Sequence, residues 1–383
     1  MRDAVIVEAA RTPVGRRRGA LSGVHPVDLS AHVLRALADR SGIDPAVVDD
    51  VVWGCVSQVG EQAINVGRNA VLAAGWPESV PGTSIDRQCG SSQQSLHFAA
   101  AAVVSGQCEV VVAGGVEVMS RVPMGSSVGT AVGLPFGPLM MERYGGVAFS
   151  QGVGAEMLVE RWGLSREQLD DFSLGSHVKA AAAQDAGAFE AEIAPVTLPD
   201  GTVVAADEGI RRDTTMAALA ELRTPFKPDG AVTAGSSSQI SDGAAALLVT
   251  TSDKARELGL TPLVRVQTAV LAAADPVIML TAPIPATEKA LKRSGLSIGD
   301  IGAVEVNEAF APVPLVWLAE TGADAAVLNA HGGAIALGHP LGGSGARLMT
   351  TLISRMRSGE IRYGLQTMCE GGGMANATVL ELL

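Results

Sequence analysis

A cysteine at the start of a predicted helix is the first candidate for chemistry in this chain. Cys89 follows a polar turn, and the apolar residues after it recur at helical spacing from Leu96 to Val104, which predicts a helix beginning just after the thiol. The positive end of a helix dipole lowers the pKa of a thiol and favours the reactive thiolate. Gly90 and the two serines behind it would let a substrate come close. The alternative is a buried cysteine that only packs, which is the commoner fate of a free thiol.

Three further polar clusters lie in the C-terminal half of the chain. Asn307 follows an apolar strand predicted over 303–306, and α/β proteins place their sites at such strand ends. His339 stands in a glycine-rich loop that leads into a helix. Cys369 stands at the tip of a strand that runs into three consecutive glycines. Cys89 as nucleophile, His339 as its activating group and Cys369 as acid and base form a coherent set.

Two other kinds of site have little support in the sequence. Zinc is the alternative for cysteine together with histidine, but no Cys-x-x-Cys or His-x-x-x-His spacing occurs, so no metal site is predicted. The glycine-rich loop suggests a nucleotide site. However, no Gly-x-Gly-x-x-Gly follows the first strand, and no Gly-x-x-x-x-Gly-Lys-Ser/Thr motif is present.

The composition of the chain limits the fold classes that could hold these groups. The chain has 383 residues, 47% of them hydrophobic, with 45 glycines and only 3% aromatic residues, which suits tightly packed α/β layers in two to three domain-sized units. A net charge of −12 argues against nucleic acid as a partner. Four cysteines make no disulfide framework and indicate a reducing compartment. The chain shows neither a signal peptide nor an apolar run of membrane-spanning length, so a cytoplasmic protein without a membrane partner is expected.

A long-period repeat indicates two related halves. Three short matches share one offset of 253 residues: 40–42 with 293–295, 90–91 with 343–344, and 105–106 with 358–359. A repeat of this length implies two similar α/β units packed together, with mixed or parallel sheets covered by helices. It also places the Cys89 loop and the His339 loop at matching positions.

The pattern changes between the two halves, at about residue 119. Glycine, proline and methionine are dense over 123–146, and helices over 155–162 and 166–183 are followed by an irregular or hairpin segment at 195–207. We therefore predict an N-terminal half at 1–117 that resumes at about 239–260, an inserted segment at 118–238, and a C-terminal half at 261–383. Predicted strands outside the insertion span 4–8, 51–56, 110–113, 243–250, 264–273 and 303–306, and predicted helices span 26–38, 64–74 and 286–294. The basic run in the loop 11–23 is interpreted as solvated.

Taken together, these residues strongly resemble the thiolase family, the acetyl-CoA acyltransferases. The resemblance covers the whole chain, from the Val5-Ile-Val-Glu-Ala-Ala-Arg-Thr-Pro segment to Cys369-Glu-Gly-Gly-Gly-Met-Ala-Asn. Its most specific motifs are Cys89-Gly-Ser, Asn307-Glu-Ala-Phe, Gly338-His-Pro and Cys369-x-Gly-Gly-Gly. The resemblance implies an α/β fold of five layers (αβαβα) made of two duplicated halves, with a loop domain inserted in the first.

The resemblance also implies an activity and a role for each group. The activity is CoA-dependent cleavage of a 3-ketoacyl-CoA, as in fatty acid β-oxidation, or the reverse Claisen condensation. Cys89 would become acylated, His339 would activate it and help hold the thioester oxygen, and Asn307 would position a water at that same oxyanion site. Cys369 would exchange the proton at the acetyl-CoA carbon. The backbone N–H groups of Cys89 and Gly371 would form a second oxyanion hole.

Coenzyme A is implied as a substrate, together with acyl-CoA, and no tightly bound cofactor is implied. The best-matching contacts are Arg211 and Ser238, with Met279, Ala309 and Phe310 near the pantetheine and acyl group. A basic patch for the CoA phosphates could be formed by Arg211, Arg212, Arg223 and Lys227; the alternative is a solvated basic face. Family members are dimers or tetramers, so a homodimer or homotetramer is expected.

Three departures from the family pattern affect these expectations. The segment Ser150-Gln151-Gly152 stands where biosynthetic thiolases carry His-Met-Gly against the pantetheine. The stretch 123–148 does not match the loop of the short-chain enzymes, which leaves the acyl-chain specificity open. Glu370 follows Cys369 where an apolar residue is common.

Two other functions remain as alternatives. A decarboxylating ketoacyl synthase uses the same fold with one cysteine and two histidines; His331 could be its second histidine, but Cys369 would then have no role. A non-catalytic acyl-CoA- or lipid-binding protein of this fold would be expected to lack some of the reactive groups, all of which are present.

Overall fold

The first strand of the protein lies at the centre of its main sheet. A computed structural model describes residues 2–128 and 133–383. The strands are β1 (Val5–Arg11), β2 (Gly15–Arg16), β3 (Asp50–Gly54), β4 (Thr83–Ile85), β5 (Val110–Val118), β6 (Val196–Thr197), β7 (Val203–Val204), β8 (Ser241–Thr250), β9 (Val264–Ala273), β10 (Ala303–Val306), β11 (Tyr363–Glu370) and β12 (Met374–Leu382). The helices are α1 (Pro26–Ser41), α2 (Val66–Ala73), α3 (Ser91–Ser105), α4 (Pro138–Arg143), α5 (Gln151–Trp162), α6 (Arg166–Asp185), α7 (Met216–Ala220), α8 (Ser252–Glu257), α9 (Pro283–Ser294), α10 (Pro312–Thr321), α11 (Ala334–Leu337) and α12 (Leu341–Ser358).

The main sheet is mixed and consists of two halves joined at its centre. Its order is β10-β11-β12-β9-β1-β8-β5-β3-β4, with β2 on β8. Strand β1 meets β9 at only two residue pairs, Val5 with Arg265 and Ile6 with Val264, whereas β5 and β8 pair along nine positions. Pairs β3–β4, β3–β5 and β10–β11 are parallel. The short β1–β9 junction lets the two halves turn away from each other while remaining hydrogen-bonded.

Helices divide the protein into five layers. Helices α3 and α12 pack against each other, and together the two helices contact strands of both half-sheets. One core cluster lies between α1, α2 and the outer face of the N-terminal strands, one around α3 and α12, and one between the C-terminal strands, α9 and α10. The alternation of inward and outward residues along each strand supplies these separate cores. The five-layered α/β fold implied by the resemblance is confirmed.

The duplicated halves are visible in the positions of the elements. The 253-residue offset carries 50–54 onto 303–307 and 110–118 onto 363–371, and β10 and β11 occupy 303–306 and 363–370. Helices α1 and α9 both end in a left-handed glycine, at Gly42 and Gly295. The other two sequence matches fall at the starts and ends of α3 and α12. The two central helices are therefore equivalent elements of the two halves.

Several element boundaries differ from the predictions for local physical reasons. Strand β5 does not end at Gly114-Gly115 but continues to Val118, because these glycines make room: a Cβ at 114 would overlap Trp53, and one at 115 the carbonyl of Gly342. Helix α2 starts two residues later than predicted, since Asn65 is left-handed (φ 57°) and caps the helix through its side chain. Strand β1 extends to residue 11 and β3 ends at residue 54.

The chain between β5 and β8 lies outside the main sheet. It contains α4 to α7 and a two-stranded sheet of β6 and β7, so a hairpin forms inside the segment predicted at 195–207. Arg11 of β1 connects this segment to the main sheet through buried ion pairs with Glu192 and Asp207, at 2.8 Å each. Residues 129–132, inside the divergent stretch 123–148, lie outside the described residues. In the part of the chain that is described, no helix has both the length and the apolarity needed to cross a membrane.

Candidate active site

Helix α3 begins immediately after Cys89, as the sequence predicts. The first helical residue is Ser91, and Gly90 occupies the N-cap position. The thiol is 4% exposed and packs with Met119, Leu341 and Met368. Its one side-chain hydrogen-bond partner among residues 2–128 and 133–383 is the Gln151 amide, whose Nε2 donates to Sγ at 4.0 Å.

The predicted acidity of this thiol is wrong for the free protein. Burial, with a smaller contribution from the carboxyl of Glu370, raises the pKa of Cys89 to about 12. Desolvation of the thiolate therefore outweighs the helix-terminus effect that the sequence suggested. As a consequence, Cys89 needs a base to remove its proton.

His339 can act as that base. Its backbone N–H donates to Ser241 Oγ at 3.1 Å, and its Nδ1 lies 2.5 Å from Ser344 Oγ. Because the Ser344 hydroxyl donates to the carbonyl of Pro340 at 2.8 Å, it accepts from Nδ1, and this network assigns the ring proton to Nδ1. Burial, with a smaller contribution from Arg347, lowers the pKa of His339 to about 3. The imidazole is neutral, with Nε2 as its acceptor.

Asn307 faces the acceptor nitrogen of this histidine. It directly follows β10, and its backbone N–H donates to the carbonyl of Thr367 at 3.1 Å, which fixes it beside β11. Its Nδ2 lies 3.3 Å from His339 Nε2. Its Oδ1 is buried without a partner among the described residues. Asn307 and His339 thus place two polar groups side by side at one sheet end.

Cys369 lies close enough to Cys89 for the two thiols to affect each other. It is the penultimate residue of β11 and is buried. Burial, together with the neighbouring thiol of Cys89 and carboxyl of Glu370, raises the pKa of Cys369 well above its usual value. Gly371 comes next in the chain, and a Cβ there would lie 2.9 Å from Gln88 Oε1. Within the described chain, the backbone N–H groups of Gly371 and Cys89 donate to no acceptor.

A cavity of about 1140 Å³ opens onto this group of residues. Of the predicted binding residues, four line it together with His339: Arg211, Ser238, Ala309 and Phe310. Met279 does not line the cavity; it is buried behind the wall in the same core cluster as Ala309 and Phe310. Cys89 lies behind the wall as well, in contact with three cavity-lining side chains: Gln151, Met119 and Leu341.

The basic residues of the predicted phosphate patch have different surroundings. Arg211 lines the cavity, and its side chain has no ion-pair partner in the described residues. Arg212 also lines it but pairs with Asp185 at 2.8 Å. Lys227 pairs with Glu160, and Arg223 does not reach the cavity wall.

Sequence reasoning missed several residues of the site. Arg16 and Arg17 are exposed, as predicted for their loop, but they also line the cavity, for which the run of three arginines is the available signal. Gln151 was noted only as a departure from the family pattern, yet it touches the Cys89 thiol. Ser344 follows a glycine pair at the start of α12, and no feature of the sequence assigned it to His339.

The surroundings of His331 bear on the ketoacyl synthase alternative. Its ring packs edge-on against Phe189, with centroids 5.9 Å apart, and it does not line the cavity. His339 is the one described histidine on the cavity wall. Among the described residues, no cluster of three or more His, Cys, Asp or Glu side chains is arranged to hold a metal ion.

Comparisons with known proteins match the chain along almost its whole length. Residues 4–253 match the family described as "Thiolase, N-terminal domain" and residues 260–382 match "Thiolase, C-terminal domain". The chain is 50% identical to a steroid 3-ketoacyl-CoA thiolase of Mycobacterium tuberculosis, over 100% of this chain and 95% of the relative. It is 47% identical to a 3-ketoacyl-CoA thiolase of Erwinia tasmaniensis and 46% identical to one of Escherichia fergusonii, in both cases over the full length of both proteins.

Proposed function

We propose that this chain, which belongs to the thiolase family and is an acyltransferase, cleaves a 3-ketoacyl-CoA with free CoA. The proposed reaction proceeds through an acyl-Cys89 intermediate. The proposal is supported by two pairs of neighbouring groups: Cys89 at the start of α3 with Cys369 at the end of β11, and the neutral base His339 with Asn307 beside its Nε2. The same groups would perform the reverse Claisen condensation.

The first half-reaction needs a nucleophile, an enolate site and an acid. Cys89 transfers its proton to His339 Nε2, and its sulfur adds to the C3 carbonyl of the substrate. The C2–C3 bond then breaks, and its electron pair remains on C2 as the enolate of acetyl-CoA. The Cys369 thiol donates a proton to C2, which releases acetyl-CoA and leaves the shortened acyl group on Cys89.

The second half-reaction transfers the acyl group to CoA. The Cys369 thiolate accepts the proton of the CoA thiol, and the CoA sulfur attacks the acyl-Cys89 carbonyl. The tetrahedral intermediate collapses to acyl-CoA, and the Cys89 thiolate regains its proton from His339. Each oxyanion needs preorganised donors, and the unoccupied N–H groups of Cys89 and Gly371 fit that role for the tetrahedral intermediates. Asn307 and a water, with His339, would hold the enolate oxygen.

The inserted segment 118–238 supplies much of the proposed CoA site. Arg211 and Ser238 line the cavity, and Arg211 is free to contact a phosphate. Ala309 and Phe310 form the wall beside the pantetheine, where the Phe226 ring packs edge-on against Phe310 at 5.7 Å. Met279 would act from behind this wall, through packing. CoA is a substrate in this scheme, and no tightly bound cofactor takes part.

The proposed acyl substrate is larger than an acetoacetyl group. The cavity of about 1140 Å³ is at the upper end of the volumes found for ligand sites, which leaves room for an acyl group beside the pantetheine arm. The Mycobacterium tuberculosis relative is named for a steroid substrate and the others for 3-ketoacyl-CoA. We therefore favour degradative cleavage of a long or bulky 3-ketoacyl-CoA.

The test is CoA-dependent cleavage of acetoacetyl-CoA, a long-chain 3-ketoacyl-CoA and a ring-bearing 3-ketoacyl-CoA, with Cys89→Ala as the control. The expected result is cleavage that disappears in the variant, with higher kcat/KM for the larger acyl groups. Mass spectrometry of the quenched enzyme should show the acyl group on Cys89. Cleavage that persists in Cys89→Ala would rule out the proposed nucleophile, and a preference for acetoacetyl-CoA would rule out the proposed substrate class.

A homodimer or homotetramer is part of the same proposal. Large apolar side chains are exposed on and near α4, among them Leu134 and Leu139, at 67% and 84%. Such surfaces commonly mark contacts between protein chains. Light scattering behind a sizing column gives the mass directly, and a monomer at micromolar concentration would contradict the proposal.

A further inference from the structure

Glu370 presents a buried carboxyl group that the reaction scheme does not use. It is the last residue of β11, fully buried, and it adjoins Cys369 in the chain. Both of its oxygens lack a hydrogen-bond partner among the described residues. Gly90, at the N-cap of α3, leaves the space that the carboxyl occupies, because a Cβ at residue 90 would overlap Glu370 Oε1.

One polar atom that lies close to this carboxyl is another acceptor. Asn376 Oδ1 and Glu370 Oε1 both lie within 2.5 Å of the point where a Cβ of residue 90 would be, so the two oxygens face each other across that gap. The orientation of the amide is fixed from its other side, since Asn376 Nδ2 lies 3.2 Å from His97 Nδ1 and 3.3 Å from Gln94 Oε1. Asn376 Oδ1 is itself buried without a partner in the described chain. Two buried acceptors facing each other need a proton between them.

The duplicated half shows how this fold supplies hydrogen bonds to a buried carboxyl group at the equivalent position. The 253-residue offset carries Glu117 onto Glu370. Glu117 accepts hydrogen bonds from the backbone N–H groups of Val56, Ser57 and Gly342, at 2.9 to 3.0 Å, and from the Gln62 amide. Gly342 belongs to the first turn of α12. Glu117 therefore accepts a hydrogen bond from a backbone N–H at the start of one central helix. Glu370 stands at the start of the other central helix with none of these donors.

We propose that Glu370 is a positioning residue for the acyl transfer described above: it is a neutral carboxylic acid that donates its proton to Asn376 Oδ1 and so keeps the site beneath Cys89 and Cys369 free of negative charge. This inference rests on the proposed function, because the proposed reaction needs a thiolate first on Cys89 and then on Cys369. A neutral Glu370 lets each thiolate form without a carboxylate beside it. Like charges in a buried site disfavour each other, so an ionised Glu370 would hold both thiols in their protonated forms.

The charged groups around Glu370 agree with this assignment. The pKa of Glu370 is raised to about 8, chiefly by burial; the charge of Arg87 and the backbone N–H of Asn376 act in the opposite direction, and the charge of Asp86 adds to the rise. Arg87 does not reach the carboxyl; its Nη1 lies 3.5 Å from the sulfur of Met374. His97, behind Asn376, is kept neutral because burial lowers its pKa to about 3. Cys89 and Cys369 are the two thiols whose pKa this carboxyl affects.

The test compares the wild type with Glu370→Gln, whose side-chain amide can donate to Asn376 Oδ1 but cannot ionise. Two rates are measured between pH 6 and 10: kcat/KM for 3-ketoacyl-CoA cleavage, and alkylation of Cys89 by iodoacetamide followed by mass spectrometry. The ratio of the variant's rate to that of the wild type should rise about tenfold between pH 7 and pH 9.5, as the carboxylate forms in the wild type alone. A ratio that stays flat or falls would overturn the proposal.

Three controls make the outcome specific. Glu117→Gln removes an equally buried carboxylate and should give a ratio without this pH dependence. Glu370→Met is a second variant that cannot ionise and should show the same rise. Infrared difference spectra of wild type and Glu370→Gln at pH 6.5 should contain the carbonyl band of a protonated carboxylic acid, and a carboxylate band instead would contradict the proposal. Alkylation reads the thiol directly, so failure of the cleavage assay alone would reject the proposed function and not this inference.

Discussion

The neutral state of Glu370 has a consequence for stability that can be measured without substrate. The pKa of this carboxyl is about 8 in the folded protein against 4.5 for a free glutamate. Because the folded-state pKa is raised, the folded protein keeps a proton that the unfolded chain loses above pH 4.5. Stability is therefore complete below pH 4.5 and falls as the pH rises, until the folded state also ionises near pH 8. Glu370→Gln removes this dependence.

The size of the effect follows from the pKa difference. Each unit of pKa difference corresponds to about 1.4 kcal/mol, so the wild type should lose about 3 kcal/mol relative to Glu370→Gln between pH 4.5 and pH 7. Urea unfolding of both proteins at pH 5, 6, 7, 8 and 9 gives the difference in free energy of unfolding, in which all shared titrations cancel. The difference should grow in favour of the variant up to about pH 8 and then level off. A difference that does not change with pH would refute a neutral, buried Glu370.

Three further outcomes follow from other parts of the structure. Ser344→Ala removes the acceptor that fixes His339 Nδ1 and should lower kcat about tenfold with little change in KM; steady-state kinetics with an unchanged kcat would contradict that role. Arg11→Met leaves two buried carboxylates without their cation and should cost about 3–5 kcal/mol in urea unfolding, whereas a loss below about 1 kcal/mol would mean that the ion pairs are not needed. Gly345→Ala places a Cβ against the backbone of α3 and should destabilise by about 1–3 kcal/mol. Gly175→Ala, a helical glycine with open space, should gain up to about 1 kcal/mol, and equal effects in thermal unfolding would refute the close helix packing.

The sequence predicted those parts of the protein that local patterns determine. Strands β9 and β10 have the predicted boundaries, and α3 begins just after Cys89, because each has recurring apolar residues and a clear start. The four motifs that identified the family all lie at sheet ends or helix starts. The 253-residue repeat predicted that the Cys89 and His339 loops occupy matching places, and both precede central helices.

Properties that depend on distant parts of the chain could not be predicted in this way. The pKa of Cys89 depends on burial beside Leu341 and on a hydrogen bond from Gln151, and neither residue is near Cys89 in sequence. Whether an exposed arginine also lines a cavity depends on the inserted segment, so the second role of Arg17 could not be predicted. The role of Glu370 became visible only by comparison with the hydrogen bonds of Glu117 in the other half of the molecule.

The place of the first strand affects how the protein can be made. Arg11 finds its buried partners 181 and 196 residues later in the chain, and β1 pairs with β8 and β9, which are synthesised later still. Until those segments have been synthesised, the apolar strand β1 has no partner strand, and Arg11 has no partner for its charge. Contacts of such sequence separation fold slowly and leave strand edges exposed. The nascent chain therefore depends on protection of its N-terminus during most of its synthesis, and truncated chains that lack β8 are expected to aggregate.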